Sequence, residues 1–265
     1  MRAMRHIKKQ SKKPAPRKRS KDTTMIFGKH AVDLALESVP AAIRSVYLAP
    51  NFSEARVAAK IKRLGCPVRP LEAGRWPHDL PQTANHQGIA ASLDTSSLLR
   101  PLTDFLGDDV LKDSSTLLLV LAEVQDPQNV GAMIRSAAAF GVAAVLLPQQ
   151  QQAPVTGTVV KVSAGMAFRV PLVSIKNVNQ AIEQLQERGV RVLGLAGTGS
   201  TSLYKHTFAQ PTALVVGNEG TGLRARTASL CDQLVRIPLH PRCESLNAAA
   251  AVTASLAIWQ KDRLG

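Results

Sequence analysis

The sequence predicts an α/β protein in two parts, with a largely parallel sheet in the larger, C-terminal part. Two patterns carry this. From residue 114 onward, apolar runs without polar alternation recur with helical segments between most of them, as strands covered on both faces by helices require. Before that, residues 23–94 alternate helical and strand patterns on a smaller scale, enough for a compact module of their own. A chain of 265 residues is long enough for one large domain or two modest ones.

Taken in order, "FGKHAVDLALES" has helical spacing, "IRSVYLAP" reads as a strand, "SEARVAAKIKRLG" as a helix closed by Gly65, and "QGIAASL" as a second strand. Residues 95–113, "TSSLLRPLTDFLGDDVLKD", lack clean periodicity and contain Pro101 and Gly107, so they are expected to be a linker. The expected strands of the C-terminal part are "STLLLVLAEV", "VAAVLLP", "RVPLVS", "VRVLGLA", "TALVVG" and "QLVRIPL". An Ala-rich helix from Ser245 to about Lys261 closes the chain.

Composition excludes several classes. Hydrophobic residues at 45% and charged residues at 20% are those of a soluble globular protein. No apolar stretch approaches the ~20 residues that span a bilayer, and the basic N-terminus lacks the apolar segment of a secretory signal. Cys66, Cys231 and Cys243 are scattered and odd in number, and the six histidines show no ligand spacing. Neither a disulfide framework nor a metal site is expected, and the cysteines fit a reducing cytoplasm.

Charge is unevenly spread. Residues 1–21 hold ten Lys or Arg and no acid; removing those ten from the net +14 leaves +4 for the remainder. A tail this polar is expected to be disordered over 1–22. It reads either as a counterion-releasing arm for nucleic acid or as a solvated tail. An aromatic content of 4% argues against extensive base stacking.

Three segments could carry chemistry. "DPQNVGAMIRSAAAFG", 126–141, lies between two expected strands and reads as their crossover helix, with Val130, Met133, Ile134, Ala137 and Ala138 forming its buried stripe. Asn129 can cap its first turn, and Arg135 falls well off the stripe. Arg135 is then either a solvated charge or a planar donor fork for a phosphate at a strand's carboxyl end. "ALVVGNEGTGLRA", 213–225, runs a strand into glycines that let a flat ligand approach backbone, with Glu219 among them. "IPLHPRCESLNAAAAVTASLAIW", 237–259, places Ser245, Leu246 and Asn247 in the expected first turn of the last helix, where unpaired N–H groups gather. "VRVLGLAGTGS", 190–200, resembles the glycine loop of Rossmann-type methyltransferases, but "STSLYKHTFAQP" after it is too short and too broken to be that motif's helix.

Together and in this order, the three segments resemble the motifs of the SPOUT methyltransferases, TrmH branch. Asn129, Gly131, Arg135 and "AFG" match the first motif, "GNEGTGL" the second, and "IPL…ESLNAAAA" the third. The resemblance covers residues 114–265, and "GKHAV" with "HQGIAASL" is similar to the ribosomal-protein-like RNA-binding domain of RlmB-type members. It implies a C-terminal domain with a parallel sheet and a deep trefoil knot, and a homodimer. The implied activity is S-adenosylmethionine-dependent methylation of a ribose 2′-hydroxyl in 23S rRNA, most naturally of a guanosine. By the same resemblance Ala196, Gly217, Ile237 and Leu246 hold the cofactor, while Arg135, Asn129, Glu219, Ser245 and Asn247 form the catalytic set. "SLNAAAAV" and "HPRCE" depart from the family pattern in the last motif. A tRNA ribose methyltransferase and a catalytically silent RNA-binding or ribosome-assembly protein are the alternatives.

Overall fold

The computed structural model describes residues 23–72, 77, 80 and 83–264. The basic segment 1–22, expected to be disordered, lies outside the described residues.

The first module comprises β1 (Thr23–Phe27), α1 (Lys29–Ser38), β2 (Ile43–Leu48), α2 (Ala55–Leu64), β3 (Val68–Pro70) and β4 (Ile89–Asp94). Its sheet order is β1-β4-β2-β3, with β4 antiparallel to β1 and β2, and β3 parallel to β2. Helix α2 stops at Gly65, whose left-handed conformation returns the last N–H groups to the carbonyls of Ile61 and Lys62.

The expected linker is structured. Its β5 (Leu99–Pro101) pairs with β8 (Leu172–Ile175), and α3 (Leu102–Phe105) follows it directly. Leu102, Phe105, Leu106 and Leu111 are buried in a core of the larger sheet. Their spacing follows neither helix nor strand period, because they anchor short elements that tertiary packing holds.

Next come β6 (Leu117–Leu121), α4 (Pro127–Ala139), β7 (Ala144–Pro148), α5 (Gly157–Val162), β8 and α6 (Val178–Gln186). The chain continues through β9 (Arg191–Leu195), β10 (Thr201–Ser202), β11 (Thr212–Val216), α7 (Ala225–Leu230), β12 (Gln233–Arg236) and α8 (Ala248–Leu264). The second sheet has eight strands, all parallel, ordered β10-β12-β9-β11-β6-β7-β8-β5. The segment rejected as a Rossmann loop runs from β9 into the two-residue β10 without a helix.

Strand β6 shows why the apolar runs lack alternation. Leu117, Leu119 and Leu121 join the core with Val130, Met133 and Ile134 of α4 and with Val252, Leu256 and Trp259 of α8. Leu118 and Val120 face Phe105 of α3 and Ile182 and Leu185 of α6. Each buried side chain contributes roughly 1.5–3 kcal/mol on transfer from water.

The two modules share a core. Ile26, Val32 and Leu34 of the first lie in the same cluster as Val159 and Val160 of α5. The Gly157 N–H donates to the Thr24 hydroxyl at 2.8 Å, and a Cβ on Gly157 would meet the Met25 carbonyl oxygen at 2.1 Å. Among the described residues, no helix is long and apolar enough to cross a membrane.

Candidate functional site

The site gathers at the carboxyl ends of β6 and β11, neighbours in the middle of the sheet. From β6 the chain moves outward to β7 and β8, then crosses back to β9 on the far side of β11. Such a reversal opens a crevice between the loops that follow the two central strands.

Helix α4 starts from that crevice. Its cap is Asp126, whose carboxylate accepts from the Gln128 N–H at 2.8 Å, and Pro127 occupies the first helical position. This corrects the expectation that Asn129 caps the helix. Asn129 sits inside the first turn, so its amide is free to reach other segments.

It reaches both of the others. Asn129 Nδ2 donates to Glu219 Oε1 at 2.8 Å, and Asn129 Oδ1 accepts from Asn247 Nδ2 at 2.9 Å. Asn247 Oδ1 in turn accepts from the N–H groups of Ala249 and Ala250 at 2.9 and 3.2 Å. Asn247 is therefore the cap of α8, which begins at Ala248 and not at Ser245 as expected. The residues before it include Pro241 and a turn in which the Cys243 N–H donates to the His240 carbonyl at 2.8 Å. The chain Glu219–Asn129–Asn247 joins all three segments, and each amide's orientation follows from its partners.

Arg135 lies farther along α4, exposed, beyond the buried Val130, Met133 and Ile134. Among the described residues it has no hydrogen-bond or ion-pair partner. Ser136, beside it, shares a 2.7 Å hydroxyl–hydroxyl hydrogen bond with Thr253, which fastens α4 to α8. Ser245 is exposed; its carbonyl accepts from the Cys243 thiol at 3.5 Å, and its hydroxyl is not tied into the chain of amides.

The loop residues expected to hold a cofactor occupy three neighbouring strand ends. Ala196 follows β9, and its N–H donates to the Val235 carbonyl at 3.0 Å, tying that loop to β12. Ile237, half-buried, follows β12, and Leu246 leaves 41% of its surface exposed beside the polar chain. Gly217 is buried, and a Cβ there would stand 2.2 Å from the backbone of Gly222. Only glycine lets the loop fold back on itself so closely.

Residues that sequence reasoning missed organise that loop. Asn218 Oδ1 accepts from the N–H groups of Gly220 and Thr221, and its Nδ2 donates to the Glu123 carbonyl at 3.0 Å. Glu123 has φ +68°, a left-handed backbone just after β6. Its carboxylate accepts from Arg224 at 2.9 Å, and Arg224 also reaches Gln151. An Asn followed by Glu-Gly is a recognisable turn signal; nothing local announces Glu123. Among the described residues, no group of His, Cys, Asp or Glu is placed to hold a metal.

A parallel sheet with polar side chains from three distant segments at its central strand ends defines an α/β enzyme-type scaffold with a crevice site. The description "SpoU rRNA Methylase family" matches residues 116–257, and "RNA 2'-O ribose methyltransferase substrate binding" matches residues 25–98. The chain is 37% identical over 231 residues to the 23S rRNA (guanosine-2'-O-)-methyltransferase RlmB of Vibrio cholerae, covering 86% of this chain and 92% of that one. With the protein of the same name from Xanthomonas campestris it shares 36% over 249 residues, 93% of this chain and 99% of the other. The crystal structure of an AdoMet-bound rRNA methyltransferase from Sinorhizobium meliloti superposes with a TM-score of 0.76 at 25% identity, covering 92% of this chain and 89% of that one. The chain belongs to the SpoU rRNA methylase family.

Proposed function

We propose that this protein transfers the methyl group of S-adenosylmethionine to the ribose 2′-hydroxyl of a guanosine in 23S rRNA. The observation that carries the reading is the hydrogen-bonded chain Glu219–Asn129–Asn247, because it unites three motif segments in one crevice. The relatives named for that reaction span nearly the whole chain, both modules included.

The loops suit the cofactor. Gly217 lets the loop after β11 fold tightly on itself, and exposed Leu246 and half-buried Ile237 offer apolar edges to an adenosyl group beside polar ends. Gly217, Ile237 and Leu246, with Ala196, are the residues that would hold it. When bound, S-adenosylmethionine supplies a methyl already activated on a sulfonium, so the protein's task is positioning and charge control.

Arg135 performs the charge control. Its guanidinium stays protonated, so it acts by contact with a phosphate or ribose oxygen that favours the deprotonated hydroxyl, whose proton is released to solvent. Asn129 orients Glu219 and Asn247, and the clamp of α4 on α8 fixes the direction from which Arg135 approaches. Ser245 hydrogen-bonds the ribose. The same reading includes a homodimer with the active site at the subunit interface, the family's trefoil knot and a cytoplasmic location.

Ribose-methylation mapping of total RNA from cells lacking the gene tests the assignment. The expected result is loss of one 2′-O-methylguanosine in 23S rRNA. Intact rRNA with a missing tRNA ribose methyl would replace the substrate. Intact RNA throughout, with no calorimetric heat from S-adenosylhomocysteine, would make the protein a silent RNA binder.

A further inference from the structure

A cavity of about 900 Å³ opens at the carboxyl ends of β7 and β8, and neither Glu219, Asn129 nor Asn247 lines it. Its floor is apolar, built from Leu99, Leu147, Pro148 and Val155 among others. Its polar groups are the amides of Gln149, Gln152, Asn177, Gln180 and Gln184 and four Ser or Thr hydroxyls; among the described residues it has one cation, Lys176, and no carboxylate. Neutral amides over an apolar floor suit a planar ligand that carries both donors and acceptors. Such a ligand is a nucleobase, whose edges pair with Asn and Gln amides.

Gln152 ties this wall to the site described above: its Oε1 accepts from the Val124 N–H at 2.9 Å, two residues before the Asp126 cap of α4. Position supplies the rest. Thr95 and Ser96 of the wall fall inside the 25–98 substrate-binding match. Arg224 links Gln151, the neighbour of Gln152, to Glu123, next to the glycine turn of the site. The cavity thus adjoins the end of the substrate-binding match on one wall and is tied by hydrogen bonds to the chain around the crevice on another.

We infer that this cavity is a nucleobase subsite that receives one unpaired nucleotide of the RNA substrate, with the exposed amides of Asn177, Gln180 and Gln184 meeting the base edge and Lys176 meeting the adjoining phosphate. The inference rests on the RNA-methylating reading above. Its test uses the full chain and transcribed 23S rRNA bearing 4-thiouridine. Photocrosslinks are mapped by peptide mass spectrometry, and steady-state methylation is followed in parallel. Crosslinks within 149–155 and 177–184 are expected. Lys176→Ala and the pair Gln180→Ala/Gln184→Ala, all at exposed side chains, should each raise the KM for rRNA about tenfold, with kcat, S-adenosylhomocysteine affinity and folding unchanged. Crosslinks confined to other peptides, or KM values within about twofold of wild type for both variants, would overturn the subsite while leaving the activity assignment intact. Wild-type protein that methylates no rRNA would instead overturn the activity assignment, and the crosslink map would still decide the subsite.

Discussion

The side-chain amides of Asn129 and Asn247, 118 positions apart in the chain, meet in a 2.9 Å hydrogen bond. The bond does two jobs, since Asn247 also caps α8 and Asn129 also holds Glu219. Asn247→Ala should lower stability by about 1 kcal/mol through loss of the cap. Asn129→Asp sets a carboxylate against Glu219 and should lower turnover more than tenfold, roughly the worth of one oriented group. A double-mutant cycle on the pair checks the coupling: additivity within about 0.3–0.5 kcal/mol would mean that the bond carries nothing.

Arg135 is exposed and without a partner among the described residues, so folding does not depend on it. Arg135→Ala should leave urea stability within about 0.5 kcal/mol of wild type. Methylation should fall by about 10² or more, and Arg135→Lys, which keeps the charge without the fork, should recover little of it. Wild-type turnover in either variant would remove Arg135 from the mechanism.

Gly217→Ala places a methyl where the Gly222 backbone already lies. The loop must open, at a cost of about 1–3 kcal/mol, and the loop shape proposed to hold the cofactor is lost with it. Calorimetry with S-adenosylhomocysteine should show weakened binding while circular dichroism retains the native helix signal.

The ten basic residues of 1–21 should add counterion release to RNA binding. Their deletion is expected to weaken affinity and to flatten the dependence of log K on log salt. An unchanged slope in filter binding across a salt series would make the segment a bystander.

Burial holds the His206 imidazole below its ordinary pKa, helped by the Arg191 charge and partly opposed by Asp262. The folded state therefore binds this proton less readily than the unfolded chain. Stability should be full above about pH 6.5, the unfolded value, and should decline as pH falls from there toward the lower folded value. Comparing urea midpoints of wild type and His206→Gln between about pH 7.5 and 5.5 isolates that slope.

The long apolar runs of the second sheet were legible because strands buried on both faces leave no room for polar alternation, as Leu117–Leu121 demonstrates. Strands β1, β3, β5 and β10 were not. They have two to five residues, and β3 and β5 each end on a proline, so neighbours and not local pattern define them. The elements inside the segment read as a linker were hidden for the same reason: Phe105 and Leu111 are buried by a distant sheet.

Within the site, the three segments were legible from residue type and order; their convergence was expected from the family resemblance, and the bonds that make it were not. Asn129 illustrates the gap. An asparagine near a helix start reads as a cap, yet Asp126 three residues earlier wins that role because Pro127 after it suits the first helical position. Only the fold reveals the partners left for Asn129. Glu123, whose φ is set by the turn between β6 and α4, had no signal in the sequence at all.

The Thr24 hydroxyl holds the Gly157 N–H, and Met25 backbone lies too close to Gly157 to admit a methyl group. The first module is thus seated on α5 and not merely strung to it by chain. Under the proposed function the two modules act as the jaws of a caliper, and an RNA that offers its recognised feature and its target sugar at that interval is the one that fits.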